Sequence, residues 1–385
     1  MRRPTPIAVG LMVAVLIVCW QYLVIRFAYS GNWTALFYTG ESTPLPEPLA
    51  KEDVYRFKGS SGYDGMYYHI IAHDPLLRRG FSRYVDNPRL RWRRILVPGL
   101  ANLLAAGEDA GVDLAYLSVT IVFVLLGSWW LGRYCTLYGM HPCLGLAFLA
   151  VPAVLVSIER QTVDTAVAAL TVGLVLHSAR EPWKQSAFLV FLPLARETGL
   201  CMTAGAALVA WKRRDRQCLV LSLASVVPFL AWVLWVHTHT MRDGTPWFSF
   251  PFAGIISRTL NPVQYPLAGR WVTLAAILDY VAVIGIWVAL ALIVIMLLAR
   301  PIKIVEASLA VLGLVFVCLG KSDIWGGAYE FGRTMSPMLV LLMMLWVPTR
   351  QHRYLIPTLL VLPRIALQYQ PLVFSIISGI RREFF

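Results

Sequence analysis

Apolar runs of membrane-spanning length alternate with short polar segments along almost the whole chain. A helix that crosses the roughly 30 Å hydrocarbon layer of a bilayer needs about 20 mostly apolar residues. Because runs near this length recur throughout, the pattern predicts an all-α polytopic membrane protein, a bundle of roughly 10–12 spans. The predicted spans are 6–27, 113–131, 142–157, 165–176, 186–211, 219–236, 272–298, 304–319, 338–347 and 354–378.

Three apolar segments do not fit a simple crossing. Residues 95–106 are too short to span and predict a helix that enters the membrane partway from its surface. Segment 186–211 carries Arg196 and Glu197 at its middle. It is either a helical hairpin with this pair at its tip or one long helix with a buried ion pair. The tail, 354–378, contains polar residues and fits either one crossing or a hairpin.

The composition agrees with this class. The 385 residues are 58% hydrophobic and only 14% charged, with a mean hydropathy of +0.64, whereas a soluble domain is nearer 45–50% apolar and about 25% charged. We therefore expect one integral membrane domain over residues 1–385. The net charge of +13 does not indicate nucleic-acid binding, because Lys and Arg collect in short loops between apolar runs. The six cysteines lie in or beside apolar runs, so we expect no disulfide framework.

The charges also predict an orientation. Arg2 and Arg3 place the N-terminus inside, and the apolar run after them is too long for a signal peptide, so we expect it to remain as an anchor. Residues 28–94 then form a large first outer loop with interfacial helices, and 237–270 form a second outer loop. Charged residues from separate parts of the sequence fall on this outer side, which predicts a site there: Asp64, Glu159, Asp164, Arg196, Glu197, Asp323, Glu330 and Arg333.

Two groups of the first outer loop have more than one interpretation. Small residues before Asp64 indicate a helix start, so Asp64 either caps that helix or presents its carboxylate to a cavity, with Gly65 allowing close approach of a substrate. His69 and His73 fall opposite the apolar face of the same helix, where a solvated face is the simpler interpretation. Their i,i+4 spacing also fits metal binding, although the Glu of a zinc-protease motif is absent.

Seven arginines lie between residues 78 and 94 of this loop. They fit contacts with lipid headgroups, and they equally fit a phosphate-linked substrate at the membrane surface, because guanidinium groups grip phosphate with two hydrogen bonds. Two charged neighbours beside apolar spans, Glu159-Arg160 and Arg196-Glu197, are either structural ion pairs or part of the site.

Several motifs of soluble nucleotide and hydrolase chemistry are absent from the sequence. It contains no Walker A loop, no GxGxxG at a strand–helix junction, no GxSxG and no CxxC pair. Soluble nucleotide chemistry is therefore not indicated.

Five motifs give the chain a resemblance to a known family. They are Tyr63-Asp64-Gly65, Ala72-His73-Asp74-Pro75, Asp86-Asn87-Pro88, Arg93-Arg94-Ile95-Leu96-Val97-Pro98 and Arg196-Glu197-Thr198-Gly199. With the N-terminal span and the large outer loop, the chain resembles the GT-C-fold membrane glycosyltransferases. It is most similar to a bacterial branch with these signatures, and more distantly to the GPI mannosyltransferases and the arabinose and mannose transferases. The resemblance covers roughly the first 210 residues.

The resemblance implies a GT-C-like bundle in a bacterial inner membrane, with the N-terminus in the cytoplasm. It implies a polyprenyl-phosphate sugar donor, a glycan, lipid or protein acceptor, and inverting transfer with an acidic residue of the first outer loop as base. Membrane lipids are expected partners and nucleic acid is not. No Asp-x-Asp pair occurs, so no metal ligands are assigned, and a divalent metal is left open as a cofactor.

The residues so implied fall into two groups. Asp64 is the candidate base, and Glu197 is the second candidate catalytic residue, which orients Arg196 or binds a sugar hydroxyl. The predicted substrate-binding residues, with the arginines on phosphate, are Arg93, Arg94, Arg196, Arg333, Asp164, Glu159, Tyr63 and His69.

Two other classes of function are consistent with the residues. Broken helices and intramembrane charges also suit a transporter or flippase for a lipid-linked or anionic solute. Transporters often show internal repeats, and none stands out here. The third class is a non-catalytic partner in an envelope polymer complex.

Overall fold

The computed structural model describes residues 4–178, 182–241, 247–261, 263, 265, 269–299 and 301–384. The orientation signals Arg2, Arg3, Arg180 and Arg300, and part of the predicted second outer loop, lie outside these residues. The described chain is helical, and its only β pairing is two isolated bridges. Short 3-10 helices occupy Trp33–Phe37, Phe81–Tyr84, Pro142–Ala150, Ser322–Trp325 and His352–Leu355.

Eighteen α-helices make up the described fold. They are α1 (Pro6–Ala28), α2 (Glu47–Lys51), α3 (Asp64–His73), α4 (Pro88–Arg93), α5 (Leu96–Leu104), α6 (Asp109–Leu137), α7 (Pro152–Arg160), α8 (Asp164–His177), α9 (Pro182–Ala195), α10 (Gly199–Lys212), α11 (Arg216–Ala224), α12 (Val227–His239), α13 (Ala253–Leu260), α14 (Arg270–Ala299), α15 (Ile304–Val317), α16 (Ala328–Thr349), α17 (Ile356–Leu367) and α18 (Gln370–Phe384).

Five helical segments among the described residues are long and apolar enough to cross a membrane. They are Pro6–Ala28, Asp109–Leu137, Arg216–His239, Arg270–Ala299 and Ala328–Thr349. The count rises to seven if two bent pairs are each one span: Pro142–Ala150 with Pro152–Arg160, and His352–Leu367 with Gln370–Glu383. The chain is thus an all-α polytopic membrane protein, as predicted.

The count is nevertheless smaller than the predicted one. Helices α8, α10 and α15 are each 14 residues long, so each rises only about 21 Å and falls short of the hydrocarbon layer. The apolar content of these segments predicts membrane spans, but each helix ends before it reaches the length that a span requires. The tail is bent by 48° between the helical segments His352–Leu367 and Gln370–Glu383. It still fits either a broken span or a re-entrant pair.

The break predicted in the middle of segment 186–211 is present. Helix α9 ends at Ala195 and α10 begins at Gly199, so one continuous helix over this segment is wrong. A Cβ at Gly199 would lie 2.3 Å from the backbone carbon of Leu192, so only glycine allows the chain to turn this tightly. Arg196 and Glu197 therefore lie in a loop between two packed helices.

Helix α16 is the centre of the bundle. It packs against α7, α8, α14, α15 and α17 and is buried along almost its whole length. Beyond its first two turns it is apolar on almost every side, as expected for a buried helix. It begins at Ala328, ten residues before the predicted span 338–347, because the segment expected as an outer loop continues the helix. Glu330 and Arg333 therefore lie in its first two turns.

The predicted first outer loop is folded into the protein rather than lying on its surface. Helix α3 packs against α4, α5, α6 and α7, and His69 and His73 are buried. The predicted solvated face on this helix is wrong, because the N-terminal end of α6 covers it. Helix α5, of nine residues, is too short to span, as predicted for 95–106.

Candidate functional site

Asp64 is the first residue of α3, and its carboxylate is held by two arginines. Arg91 Nη1 lies 2.8 Å from Oδ1, and Arg333 Nη2 donates to Oδ2 at 2.5 Å. The residue at the N-cap position is Tyr63, which makes no side-chain cap. The Asp64 side chain is thus directed to guanidinium groups from α4 and α16, as the cavity interpretation requires.

Arg91 is the site residue that the sequence analysis missed. It also bonds Asp86, with Nε–Oδ1 and Nη2–Oδ2 both at 3.0 Å. A signal for it was present, because Asn87-Pro88 marks the start of a helix. From that start, the i,i+3 spacing of Arg91 and Arg94 places them on one face of the helix. The i,i+4 spacing of Arg89 and Arg93 places them on another face.

Arg94 and Glu197 form the second ion pair of the cluster. Arg94 Nε donates to Glu197 Oε2 at 2.9 Å and Nη2 to Oε1 at 2.5 Å, while Nη1 donates to the Tyr68 hydroxyl at 2.9 Å. This two-point geometry is the strong form of an arginine–carboxylate bond. Glu197 therefore orients Arg94. The predicted orientation of its neighbour Arg196 by Glu197 is wrong.

Arg196 turns instead to Asp164 at the start of α8. Arg196 Nη1 bonds Asp164 Oδ1, and Arg333 Nε lies 3.7 Å from Asp164 Oδ2. Asp64, Arg333, Asp164 and Arg196 thus form one chain of alternating charge. Among the described residues, Arg196 Nε, Arg333 Nε and Arg333 Nη1 are buried and make no hydrogen bond. Such donors are costly unless a ligand satisfies them.

Tyr63 and Glu159 lie behind this cluster. Glu159 accepts from the Tyr329 hydroxyl at 2.6 Å. Arg160 lies over the rings of Tyr38, Tyr63 and Tyr329, at 4.2, 4.5 and 4.7 Å from their centroids. Neither Tyr63 nor Glu159 lines either of the two cavities that meet at the arginines. Tyr63 instead packs against Arg160 and Arg333, and Glu159 bonds Tyr329.

His69 lies apart from the other predicted site residues. Its Nε2 is 2.5 Å from Asp113 Oδ1, and its ring stacks on Phe37 with centroids 3.9 Å apart. A substrate contact, as predicted for His69, is not compatible with this burial.

Two adjoining cavities meet at the arginines. The smaller, of about 70 Å³, is polar and is lined by Asp64, Arg91, Arg94, Asp323, Glu330 and Arg333, among others. The larger, of about 580 Å³, holds Arg93 and Glu197 beside apolar residues such as Leu200, Val315, Leu319 and Phe248. Both share a wall formed by Asn87, Leu90, Arg94, Arg196, Trp247, Ile324 and Thr334.

A third cavity, of about 870 Å³, lies between residues 208–219 and 297–310. It is lined by Trp211, Lys212 and Arg214, at the far end of α10 from Glu197. This cavity is larger than the two at the arginines, but the paired carboxylates do not line it. The two adjoining cavities are therefore the candidate site.

The arginines keep the cluster's carboxyl groups ionised. Burial alone would raise the pKa of Asp64, but Arg333, Arg91 and Arg94 outweigh burial and hold that pKa far below its usual value. Burial likewise favours protonated Glu197, and Arg94 and Arg196 lower its pKa to about 2. Both groups are therefore carboxylates throughout the physiological pH range.

The family resemblance leaves a divalent metal open as a cofactor. The carboxylate oxygens of Asp64 and Glu197 do not suit one. Asp64 gives one oxygen to Arg91 and the other to Arg333, and Glu197 gives both of its oxygens to Arg94. A hard divalent cation needs carboxylate oxygens that face it. These carboxylates are anchors for arginines rather than metal ligands.

Comparison of the chain with protein-family models, with curated proteins and with solved structures finds no match. Its function must therefore be inferred from the site and from the motifs that build it.

Proposed function

We propose that this protein is a membrane glycosyltransferase that moves a sugar from a polyprenyl-phosphate donor to an acceptor hydroxyl, with inversion at the anomeric carbon. The observation that carries the proposal is the junction of the two cavities. An apolar cavity ends at Arg94 and Arg196, and an ionised carboxylate, Asp64, lies just beyond them. A lipid-linked sugar phosphate has the same order of parts: an apolar chain, a phosphate and a polar sugar.

The larger cavity suits the lipid end of such a donor. Leu200, Val315, Leu319 and Phe248 give it apolar walls, and Arg93 lies beside them. Arg93 Nη2 contacts His237 Nε2 at 2.9 Å, and its Nε is buried without a hydrogen bond among the described residues. A phosphate at this cavity would find guanidinium donors whose charge and planar fork match it.

The reaction assigns one task to each group. Asp64 takes the proton of the acceptor hydroxyl as that oxygen forms a bond to the anomeric carbon. The bond from this carbon to the phosphate oxygen breaks, and its electron pair leaves with the polyprenyl phosphate. The leaving phosphate gains one negative charge, which Arg94 and Arg196 offset because they are fixed beforehand in a low-dielectric site. Attack opposite the leaving phosphate gives inversion.

The hold of Arg91 and Arg333 on Asp64 bears on when the base is active. A carboxylate bound by two guanidinium groups is a weak proton acceptor. A donor phosphate bound by Arg94 and Arg196 would also attract Arg91 and Arg333, which line the adjoining cavity, and would loosen them from Asp64. The proposal therefore makes Asp64 a stronger base with donor bound than without it.

The decisive experiment uses purified protein in lipid nanodiscs with a panel of radiolabelled polyprenyl-phosphate sugars and hydroxyl acceptors. We expect release of polyprenyl phosphate and appearance of label in the acceptor with at least one donor. Catalytically inert protein that instead moves a labelled donor across a proteoliposome membrane would replace this proposal with a flippase. Inert protein in both assays would favour a non-catalytic assembly partner.

A further inference from the structure

A second cluster of charged side chains lies on α3, away from the arginines. Helix α3 carries Asp64 at its start and His69 and His73 further along, and the two histidines are 1% and 2% exposed. Glu52, from the segment after α2, completes a group with them in which one ligand atom from each residue lies within 4.8 Å of the others. Imidazole nitrogens and carboxylate oxygens are common ligands of Zn²⁺.

The two histidines face each other through the same ring atom. His73 Nε2 lies 3.3 Å from His69 Nε2. Two nitrogens that bind one tetrahedral Zn²⁺ at the usual bond length of about 2.0 Å are separated by about 3.3 Å. The spacing of these two nitrogens is therefore that of neighbouring zinc ligands.

Carboxylates supply the other parts of a metal site. Asp113 Oδ1 lies 2.5 Å from His69 Nε2, so a shift of under about 1 Å would bring this oxygen to a ligand position. Asp109 Oδ1 lies 2.8 Å from His73 Nδ1. A proton held between these two atoms leaves Nε2 with a free electron pair, which is how a second carboxylate commonly orients a metal-binding histidine.

The charge of the cluster also calls for a cation. Three carboxylates, Glu52, Asp109 and Asp113, surround two histidines. The cation that pairs with them is Arg79, which bonds Asp109 with both of its terminal nitrogens, at 2.7 and 2.9 Å. With neutral histidines these four charged side chains carry a net charge of −2, which one divalent ion would balance.

We propose that Glu52, His69 and His73 bind one divalent transition metal, with Zn²⁺ as the best-fitting ion and Asp113 as the fourth ligand. The ion joins α3 to the start of α6 and to the segment after α2. It lies on the same helix as Asp64 but two turns along it, so its role is to fix that helix. The proposal is independent of the glycosyltransferase function, because it concerns binding by the protein alone.

The test is metal binding by the full chain in detergent, after removal of any affinity tag and exchange into metal-free buffer. Co²⁺ serves as the probe, because tetrahedral cobalt shows intense visible ligand-field bands. We expect these bands to saturate at one cobalt per chain, Zn²⁺ to displace them, and Zn²⁺ to raise the melting temperature. Absence of the bands, with no effect of Zn²⁺ on melting, would overturn the proposal and leave a hydrogen-bonded pair.

Variants locate the bound ion. His73→Asn and Glu52→Gln should each lower cobalt affinity by about 100-fold or more, and Asp109→Asn should lower it by about 10–100-fold, the usual effect of losing an orienting carboxylate. His141→Asn is the matched control, since His141 is exposed and its Nδ1 accepts a hydrogen bond from Cys143 N. Should His73→Asn fail to fold, Glu52→Gln decides, because Glu52 is partly exposed. Unchanged affinity in a folded ligand variant would place the metal elsewhere and reject this site.

Discussion

Arg94 and Glu197 are joined by two hydrogen bonds across 103 positions of sequence, Nε to Oε2 at 2.9 Å and Nη2 to Oε1 at 2.5 Å. The pair ties the end of α4 to the break between α9 and α10. It thereby holds Arg94, which lines both cavities, against Glu197, which lines the larger one. The position of Arg94 is thus determined by a residue of a different segment.

This pair predicts a double-mutant result. Arg94→Gln leaves the Glu197 carboxylate in a half-buried site without its cation, so we expect a loss of about 2 kcal/mol in the free energy of unfolding. Arg94→Gln combined with Glu197→Gln should recover much of that loss, because no unpaired charge remains. Denaturant unfolding of the two single variants and the double variant measures the coupling. Strictly additive effects would mean that the pair contributes nothing.

A separate prediction concerns phosphate binding by Arg93, whose Nη2 contacts His237 and whose buried Nε makes no hydrogen bond with the described residues. Arg93→Gln should weaken binding of polyprenyl phosphate by about 10–100-fold, since a charge-assisted hydrogen bond contributes roughly 1.5–3 kcal/mol. Folding should be unaffected, because no carboxylate among the described residues loses its partner. Fluorescent-lipid competition against a neutral polyprenol measures the change.

Arg83→Gln is the control for that measurement. Arg83 belongs to the same run of arginines but is exposed and lies over the Tyr84 ring, outside both cavities. Equal losses in the two variants would make the arginine run a general headgroup contact. The donor phosphate would then have to bind elsewhere.

The low pKa of Glu197 gives a pH prediction. Its pKa is about 2 in the folded protein against 4.5 ordinarily, so its ion pair adds stability above about pH 4.5, and this is lost as the pH falls towards 2. The difference in melting temperature between wild type and Glu197→Gln should therefore be constant from about pH 5 to 8 and shrink below that range. A difference that changes near neutral pH would show that Glu197 titrates there.

Topology is open to a direct check. If the distribution of charges sets the orientation, Ser61 in the predicted first outer loop and Arg214 after α10 lie on opposite sides of the membrane. Single cysteines at these two exposed positions, in a background without the native cysteines, should react with an impermeant maleimide from opposite sides. Labelling of both from one side would exclude the predicted layout.

The sequence predicted the class of fold better than the geometry of the site. Apolar runs have a length that physics ties to the bilayer, so the class could be predicted from them. Which arginine binds which acid depends on contacts such as Arg333 to Asp64, 269 positions apart, and no local pattern carries that pairing. Arg91 is the exception, because helix spacing from Asn87 could have indicated it. The amphipathic spacing of α3 predicts that His69 and His73 face solvent, and this is wrong because α6 covers that face.

The base assignment predicts a specific loss in Asp64→Asn. The variant keeps the size of the side chain and removes the charge and the basic electron pair. Its two arginines retain other carboxylates, since Arg91 bonds Asp86 and Arg333 lies near Asp164. The variant should therefore fold, and turnover should fall by roughly two to four orders of magnitude, the usual contribution of a general base.

Donor affinity separates this role from phosphate binding. If Asp64 acts on the acceptor proton, donor affinity in Asp64→Asn should hold or rise, because the phosphate keeps Arg94 and Arg196 and one nearby negative charge is removed. Only kcat should fall. Asp86→Asn is the matched control: it removes a carboxylate from the same arginine but keeps Asp64, so turnover should stay within about tenfold of wild type. Normal turnover in Asp64→Asn, with a deep loss in Glu197→Gln, would transfer the base role to Glu197. Normal turnover in both would leave the reaction without its base and reject the mechanism.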